Sequence, residues 1–123
     1  MKAGNRRIGA RLRIVLEPDI AIGPGKADIL EGVKQTGSIA AAGRRMGMSY
    51  KRAWLLVETM NRCFRTPLVE TSRGGPAHGG ARLTPTGELV LACYRRMEAQ
   101  TEQAIASDMA KLRAMMRETA DDS

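Results

Sequence analysis

Aromatic residues are scarce in this 123-residue chain: one Trp, two Tyr and one Phe. A core built from it must therefore rest on Leu, Ile, Val, Met and Ala. Cysteine is nearly absent too. Cys63 and Cys93 lie far apart and form no Cys-x-x-Cys pair, which argues against a disulfide scaffold or a cysteine zinc site; two buried, inert thiols are expected. No apolar run approaches the roughly 20 residues that cross a bilayer, and no apolar stretch follows the basic amino terminus as a secretory signal would. A cytoplasmic protein without a membrane partner is expected.

Catalytic combinations are missing as well. His78, the single histidine, stands in a glycine-rich segment without carboxylate or Cys neighbours, which suits neither a general base nor a metal ligand. No Ser-His-Asp set, phosphate-binding loop or paired carboxylates can be assembled. The chain reads as a non-enzyme needing no cofactor and no metal.

What the chain has is positive charge, unevenly placed. Its formal charge is +7, and residues 1–87 carry 15 Lys and Arg against 6 Asp and Glu, whereas residues 88–123 carry 5 against 7. A basic head and a mildly acidic tail fit a nucleic-acid partner better than a uniform charge would. The length suits one ordinary domain, here divided into a head (1–87) and a tail (88–123).

Along the head, Leu12, Ile14 and Leu16 alternate as in a strand, which Pro18 and the Gly23-Pro24-Gly25 turn end. Ile29, Leu30 and Val33 recur at helical spacing from Lys26 to Thr36, and Gly37 stops that helix. Ser38 caps a second helix through Met46, ended by Gly47. Ser49 caps a third, Tyr50 to about Cys63, with Ala53, Val57 and Met60 on one face. Two short helices joined by a tight glycine turn make a helix-turn-helix. The runs Leu68–Thr71 and Ala81–Thr84 bracket a glycine-rich loop and read as a β-hairpin wing. Pro85-Thr86-Gly87 breaks the hairpin, and Glu88 opens a helix of almost thirty residues, some 40 Å at about 1.5 Å per residue. Its stripe of Val90, Tyr94, Met97, Thr101, Ala104, Ile105 and Leu112 exceeds what the head can cover and is expected to pair with a second copy. The fold class is mainly α with a small β-hairpin wing: a winged helix-turn-helix followed by a long C-terminal dimerisation helix.

A helix-turn-helix presents the first turn of its second helix to base edges in the major groove of double-stranded DNA. Here that turn offers Ser49, Tyr50, Lys51 and Arg52. Ser38, Arg44 and Arg45 on the preceding helix, with Arg73, His78 and Arg82 on the wing, are placed to hold the phosphate backbone. Trp54, one turn beyond Tyr50, is expected to pack against the wing.

The run Thr36-Gly37-Ser38-Ile39-Ala40-Ala41-Ala42, then Met48-Ser49-Tyr50-Lys51-Arg52-Ala53-Trp54 and Met60-Asn61, resembles the N-terminal DNA-binding domain of ModE-type molybdate-responsive regulators, which share the LysR-like winged-helix architecture. The likeness continues through Leu68-Val69-Glu70, the wing glycines Gly74, Gly75, Gly79 and Gly80, Leu83-Thr84, and Gly87. It implies a homodimer on an inverted-repeat operator, with Ser49, Tyr50 and Lys51 near the DNA. Full-length members sense molybdate through a C-terminal oxyanion-binding module; this chain ends at Ser123, so the DNA-binding piece without that module is expected. A repressor of metal-transport or metalloenzyme genes is the reading favoured.

The source of the signal stays open at this level: constitutive binding, a separate oxyanion-binding protein as partner, or metal or redox sensing by Cys63, Cys93 and methionines such as Met46, Met48 and Met60. A rival of another class is a winged helix that docks a protein instead of DNA.

Overall fold

In a computed structural model, residues 9–17, 20–72 and 80–117 are described. Strands β1 (Ile14–Leu16) and β2 (Ile20–Ile22) pair antiparallel, with Ile14 opposite Ile22. Helices α1 (Pro24–Thr36), α2 (Ile39–Arg45) and α3 (Tyr50–Cys63) follow, then the wing strands β3 (Val69–Ser72) and β4 (Gly80–Leu83), and finally α4 (Pro85–Met115).

Four of the helix boundaries have a clear local cause. Ser38 Oγ accepts from the Ala41 amide at 3.0 Å, Ser49 Oγ from Arg52 at 3.1 Å, and Thr84 Oγ1 from Gly87 at 2.9 Å, each satisfying a donor that the first helical turn leaves unpaired. At the other end of α1, Gly37 takes a left-handed φ of 74° while its amide bonds Val33 O at 2.8 Å.

The three head helices converge on small residues. A Cβ on Gly32 would meet Ala42 Cβ at 2.7 Å, and one on Gly43 would meet Ala53 Cβ at 2.9 Å. Around these crossings Ile29, Leu30, Val33, Val57 and Leu68 are buried with Leu91 and Tyr94 of α4. Val69 pairs with Leu83 at the base of the wing, and the Ala81 amide bonds Gly37 O at 2.9 Å, fastening β4 to the α1–α2 turn.

Several expectations need correction. Strand β2 was not foreseen. Pro24 and Pro85, read as turn residues, each occupy the first turn of a helix, so α1 and α4 start earlier than expected and the 87/88 division falls inside α4. Proline fits there because that turn needs no amide donor. Val90, Tyr94 and Met97, assigned to a pairing stripe, instead pack on the head of their own chain, with Tyr94 0% exposed. Cys63 and Cys93 are half-buried and free, not buried. Among the described residues no helix is long and apolar enough to cross a membrane.

Candidate nucleic-acid interface

The turn between α2 and α3 is closed by backbone alone. Gly47 has φ of 72°, its amide bonds Arg44 O at 3.0 Å, and the Met48 amide bonds Gly43 O at 3.0 Å. With Gly43 seated against Ala53, this fixes how α3 crosses α2 and leaves the α3 amino terminus at the surface. Ser49, Tyr50, Lys51 and Arg52 are all exposed there, Tyr50 at 57%. The positive end of the helix dipole adds to the side-chain charge at this turn.

The turn has two flanks. Tyr50 and Trp54, one helical turn apart, face the wing and line a concavity of about 580 Å³ with Ser38, Arg44, Ser72 and Gly80. Trp54 lies beside the wing as its expected packing requires, yet stays 38% exposed. Among the described residues, no carboxylate lines this concavity. Lys51 and Arg52 lie on the other flank, bordering a shallower depression of about 230 Å³ with Leu55, Leu56 and Thr59. The sequence reading grouped residues 49–52 as one set; the turn per residue of the helix separates them, and the 50/54 spacing carried that signal.

The basic residues around the turn differ in what holds them. Arg44 lines the concavity, whereas Arg45 Nη1 donates to Gln35 Oε1 at 2.6 Å and so is drawn toward α1. On the wing, Arg82 Nη2 pairs with Glu70 Oε1 at 3.1 Å across the hairpin, with the Arg82 side chain 80% exposed. Ser38 and Ser49 use their hydroxyl oxygens as caps and keep an O–H to donate outward. Arg73 and His78 lie outside the described residues.

One supporting residue, quoted in the sequence only for the family likeness, had no role assigned to it. Asn61 Oδ1 accepts from the Leu68 and Val69 amides at 2.8 and 3.1 Å, and its Nδ2 donates to Val69 O at 3.1 Å. It thereby joins the end of α3 to the first wing strand and sets the wing against the helix. The available sign was a polar residue four positions after Val57, on the core-facing side of α3.

The surface is a protruding helix start next to a two-stranded ribbon, cationic on both flanks, with hydroxyl donors and with two aromatic side chains on the flank that faces the wing. Such a surface suits an extended polyanion with flat, hydrogen-bonding edges.

Comparison with known proteins agrees. Residues 26–88 match the family model described as bacterial regulatory helix-turn-helix protein, lysR family. The molybdenum-pterin-binding protein MopB of Rhodobacter capsulatus is 42% identical over 95 residues, 76% of this chain and 35% of the relative. The transcriptional regulator ModE of Haemophilus influenzae is 37% identical over 93 residues, covering 76% and 36%. The DNA-binding transcriptional dual regulator ModE of Escherichia coli K12 is 33% identical over 92 residues, covering 75% and 35%. The chain thus spans about a third of the length of the curated relatives it matches.

Proposed function

Because the chain belongs to the lysR family of bacterial regulatory helix-turn-helix proteins, with the features of a ModE-type N-terminal DNA-binding domain, we propose that it is a sequence-specific DNA-binding transcriptional regulator. It works as a homodimer on an inverted-repeat operator and represses by occupying it. The observation that carries this reading is the concavity between α3 and the wing, free of carboxylates among the described residues and lined by Arg44, Tyr50 and Trp54, with Lys51 and Arg52 on the opposite flank of the same helix turn.

In this reading the α3 start enters the major groove. Tyr50 and Lys51 meet base edges, while Arg44, Arg52 and Arg82 meet phosphates on either side. Binding weakens steeply as salt rises, because each neutralised phosphate releases counterions.

Support for pairing comes from the far half of α4. The helix has 31 residues, about 46 Å at 1.5 Å per residue, and its polar contacts with α1 and Leu12 lie before Glu98. Beyond that point Ile105 and Met109 line a largely apolar groove with Ala106 and Ala110, bordered by Gly9, Glu102 and Arg113, and Leu112 is 58% exposed. A second copy of the same helix covers such a stripe with matching geometry. Thr101, Ala104, Ile105 and Leu112 remain the pairing residues from the expected set.

Activation at some sites is a second reading, favoured by the name of the Escherichia coli relative, a dual regulator. A molybdenum-linked signal is favoured in either case by the name of the Rhodobacter capsulatus relative.

The test is operator selection from random duplexes followed by titration at fixed salt. Lys51→Ala combined with Arg44→Ala is expected to weaken binding by about tenfold or more, the scale of losing charged hydrogen bonds. Unchanged affinity would remove α3 and its concavity from the DNA face. Sedimentation with Ile105→Glu, expected to yield monomers, tests the pairing.

A further inference from the structure

Among the described residues, four polar side-chain contacts join the near third of α4 to the head, beside the apolar packing of Val90, Leu91, Tyr94 and Met97. Lys34 Nζ meets Glu88 Oε1 at 3.0 Å. The Tyr94 hydroxyl donates to Leu12 O at 2.7 Å, an 82-residue separation that joins α4 to the segment leading into β1. Arg95 Nη2 meets Asp28 Oδ1 at 3.0 Å, and its Nε donates to Glu31 Oε1 at 3.1 Å, tying α4 to α1. The same guanidinium is steadied from its own helix by Glu98 Oε1 at 2.9 Å and lies over the Tyr94 ring, 5.9 Å from its centroid.

The Arg95 arrangement differs from an ordinary surface ion pair. Its side chain is only 31% exposed, with Glu98 at 25% and Glu31 at 34%. A planar guanidinium that spends its donors on three carboxylates in fixed directions resists rotation in a way a single flexible pair does not. Against the cost of burial, the three carboxylates raise the Arg95 pKa, so the charge persists across the pH range of the cell. Asp28 and Glu31 sit one turn apart on α1, so the fork grips α1 along its axis and fixes both the tilt and the roll of α4.

Beyond Glu98, α4 continues to Met115 as a lever that, among the described residues, has only the Gly9–Ala10 segment alongside it. A small rotation at Arg95 displaces the far end, where the proposed partner helix pairs. We propose that Arg95 is a positioning residue for DNA recognition: by locking α4 to α1 it sets the distance and angle between the two recognition helices, and so selects the spacing between operator half-sites. The inference rests on the homodimeric reading given above. Arg95 itself touches no DNA in this arrangement.

The consequence is geometric. Two added base pairs move a half-site about 7 Å along the DNA and roughly 70° around it, beyond what a locked pair of heads follows. A loosened pair follows more readily, at the cost of ordering itself on binding.

The experiment compares the full chain with Arg95→Met and Arg95→Lys on three selected-operator duplexes: the selected spacing, two base pairs added, and a single half-site. Wild type is expected to favour the selected spacing over the altered one by about tenfold or more; Arg95→Met lowers that preference to about threefold or less while half-site affinity stays within about twofold, and Arg95→Lys recovers part of it. A second readout needs no DNA. Spin labels at Leu55→Cys and Lys111→Cys, in a Cys63→Ser, Cys93→Ser background diluted with unlabelled chain, report the head-to-helix distance within one chain. Its distribution is expected to be narrow with Arg95 and to broaden about twofold with Met. An unchanged distribution overturns the lock, and a broadened one with undiminished spacing preference overturns its role in recognition. A wild type that ignores spacing altogether refutes the paired-head reading itself, while the distance distribution still decides the lock.

Discussion

Gly87 stands so close to the carbonyl of Leu68 that no Cβ fits between them. The approach lets Thr84 act twice: its hydroxyl donates to Pro67 O at 2.7 Å while the oxygen accepts from the Gly87 amide at 2.9 Å. The junction between wing and long helix is thus made of backbone on backbone, with one buried threonine as the rivet.

Gly87→Ala is therefore expected to destabilise the fold by about 3 kcal/mol, the upper range of forced overpacking, because the obstructing atom is a backbone carbonyl that cannot rotate away. Gly25→Ala makes the contrast. Its Cβ would meet nothing within 4 Å, and removing a flexible residue from the first turn of α1 stabilises by roughly 0.5 kcal/mol. Urea denaturation of the two variants checks both signs.

Asn61 supplies the next prediction. Asn61→Ala leaves two amides and a carbonyl of the wing base without partners and is expected to cost about 2 to 3 kcal/mol. Asn61→Asp keeps both acceptor contacts but turns a carboxylate oxygen toward Val69 O, so it is weakened too, though less at the amides. Hydrogen exchange at Leu68 and Val69 separates the cases: protection falls at both residues with Ala and is largely kept with Asp.

These two residues also mark where the sequence was legible and where it was not. Ser38, Ser49, Gly37 and Gly47 announce the helix-turn-helix because caps and stops act within four residues, and α3 begins and ends where its pattern says. Pro24 and Pro85 misled for one shared reason: proline marks a turn or a first helical turn equally well, and only the residues after it decide. Tyr94 exposes a deeper limit. Periodicity on α4 shows that a face is apolar, but whether its own head or a second copy covers that face depends on contacts across 82 residues. The Arg95 fork, reaching back 64 and 67 residues, left no local trace for the same reason.

Tyr94 also makes stability respond to alkaline pH. Burial first, then the nearby Glu98 carboxylate, lifts its pKa from 10 to about 12. The folded value lies above the unfolded one, so the contribution is complete below pH 10 and is lost as pH rises through about 12. Its full size is about 2 to 3 kcal/mol. Tyr94→Phe removes this titration and leaves Leu12 O without its donor, costing about 1 to 2 kcal/mol at neutral pH. Unfolding curves for the two proteins are expected to differ most near pH 8, to draw together above pH 10 and to cross as pH approaches about 12; a constant gap across that range would mean the hydroxyl does not titrate with folding.

The last prediction separates two neighbouring arginines that the sequence treats alike. Arg44 lines the concavity beside Tyr50 and Trp54, while Arg45 is drawn back to Gln35 on α1. On the proposed DNA face, Arg44 reaches a phosphate and Arg45 chiefly braces α2 against α1. Arg44→Ala is thus expected to reduce the slope of log affinity against log salt by about 1, uniformly across operator sequences, with little change in melting. Arg45→Ala reduces that slope by less and lowers stability by about 0.5 to 1 kcal/mol through the lost hydrogen bond. Filter-binding titrations at several salt concentrations, paired with thermal unfolding of the same preparations, distinguish the two. Equal slopes for both variants would place Arg45 on the phosphate backbone as well, with its Gln35 contact released when DNA binds.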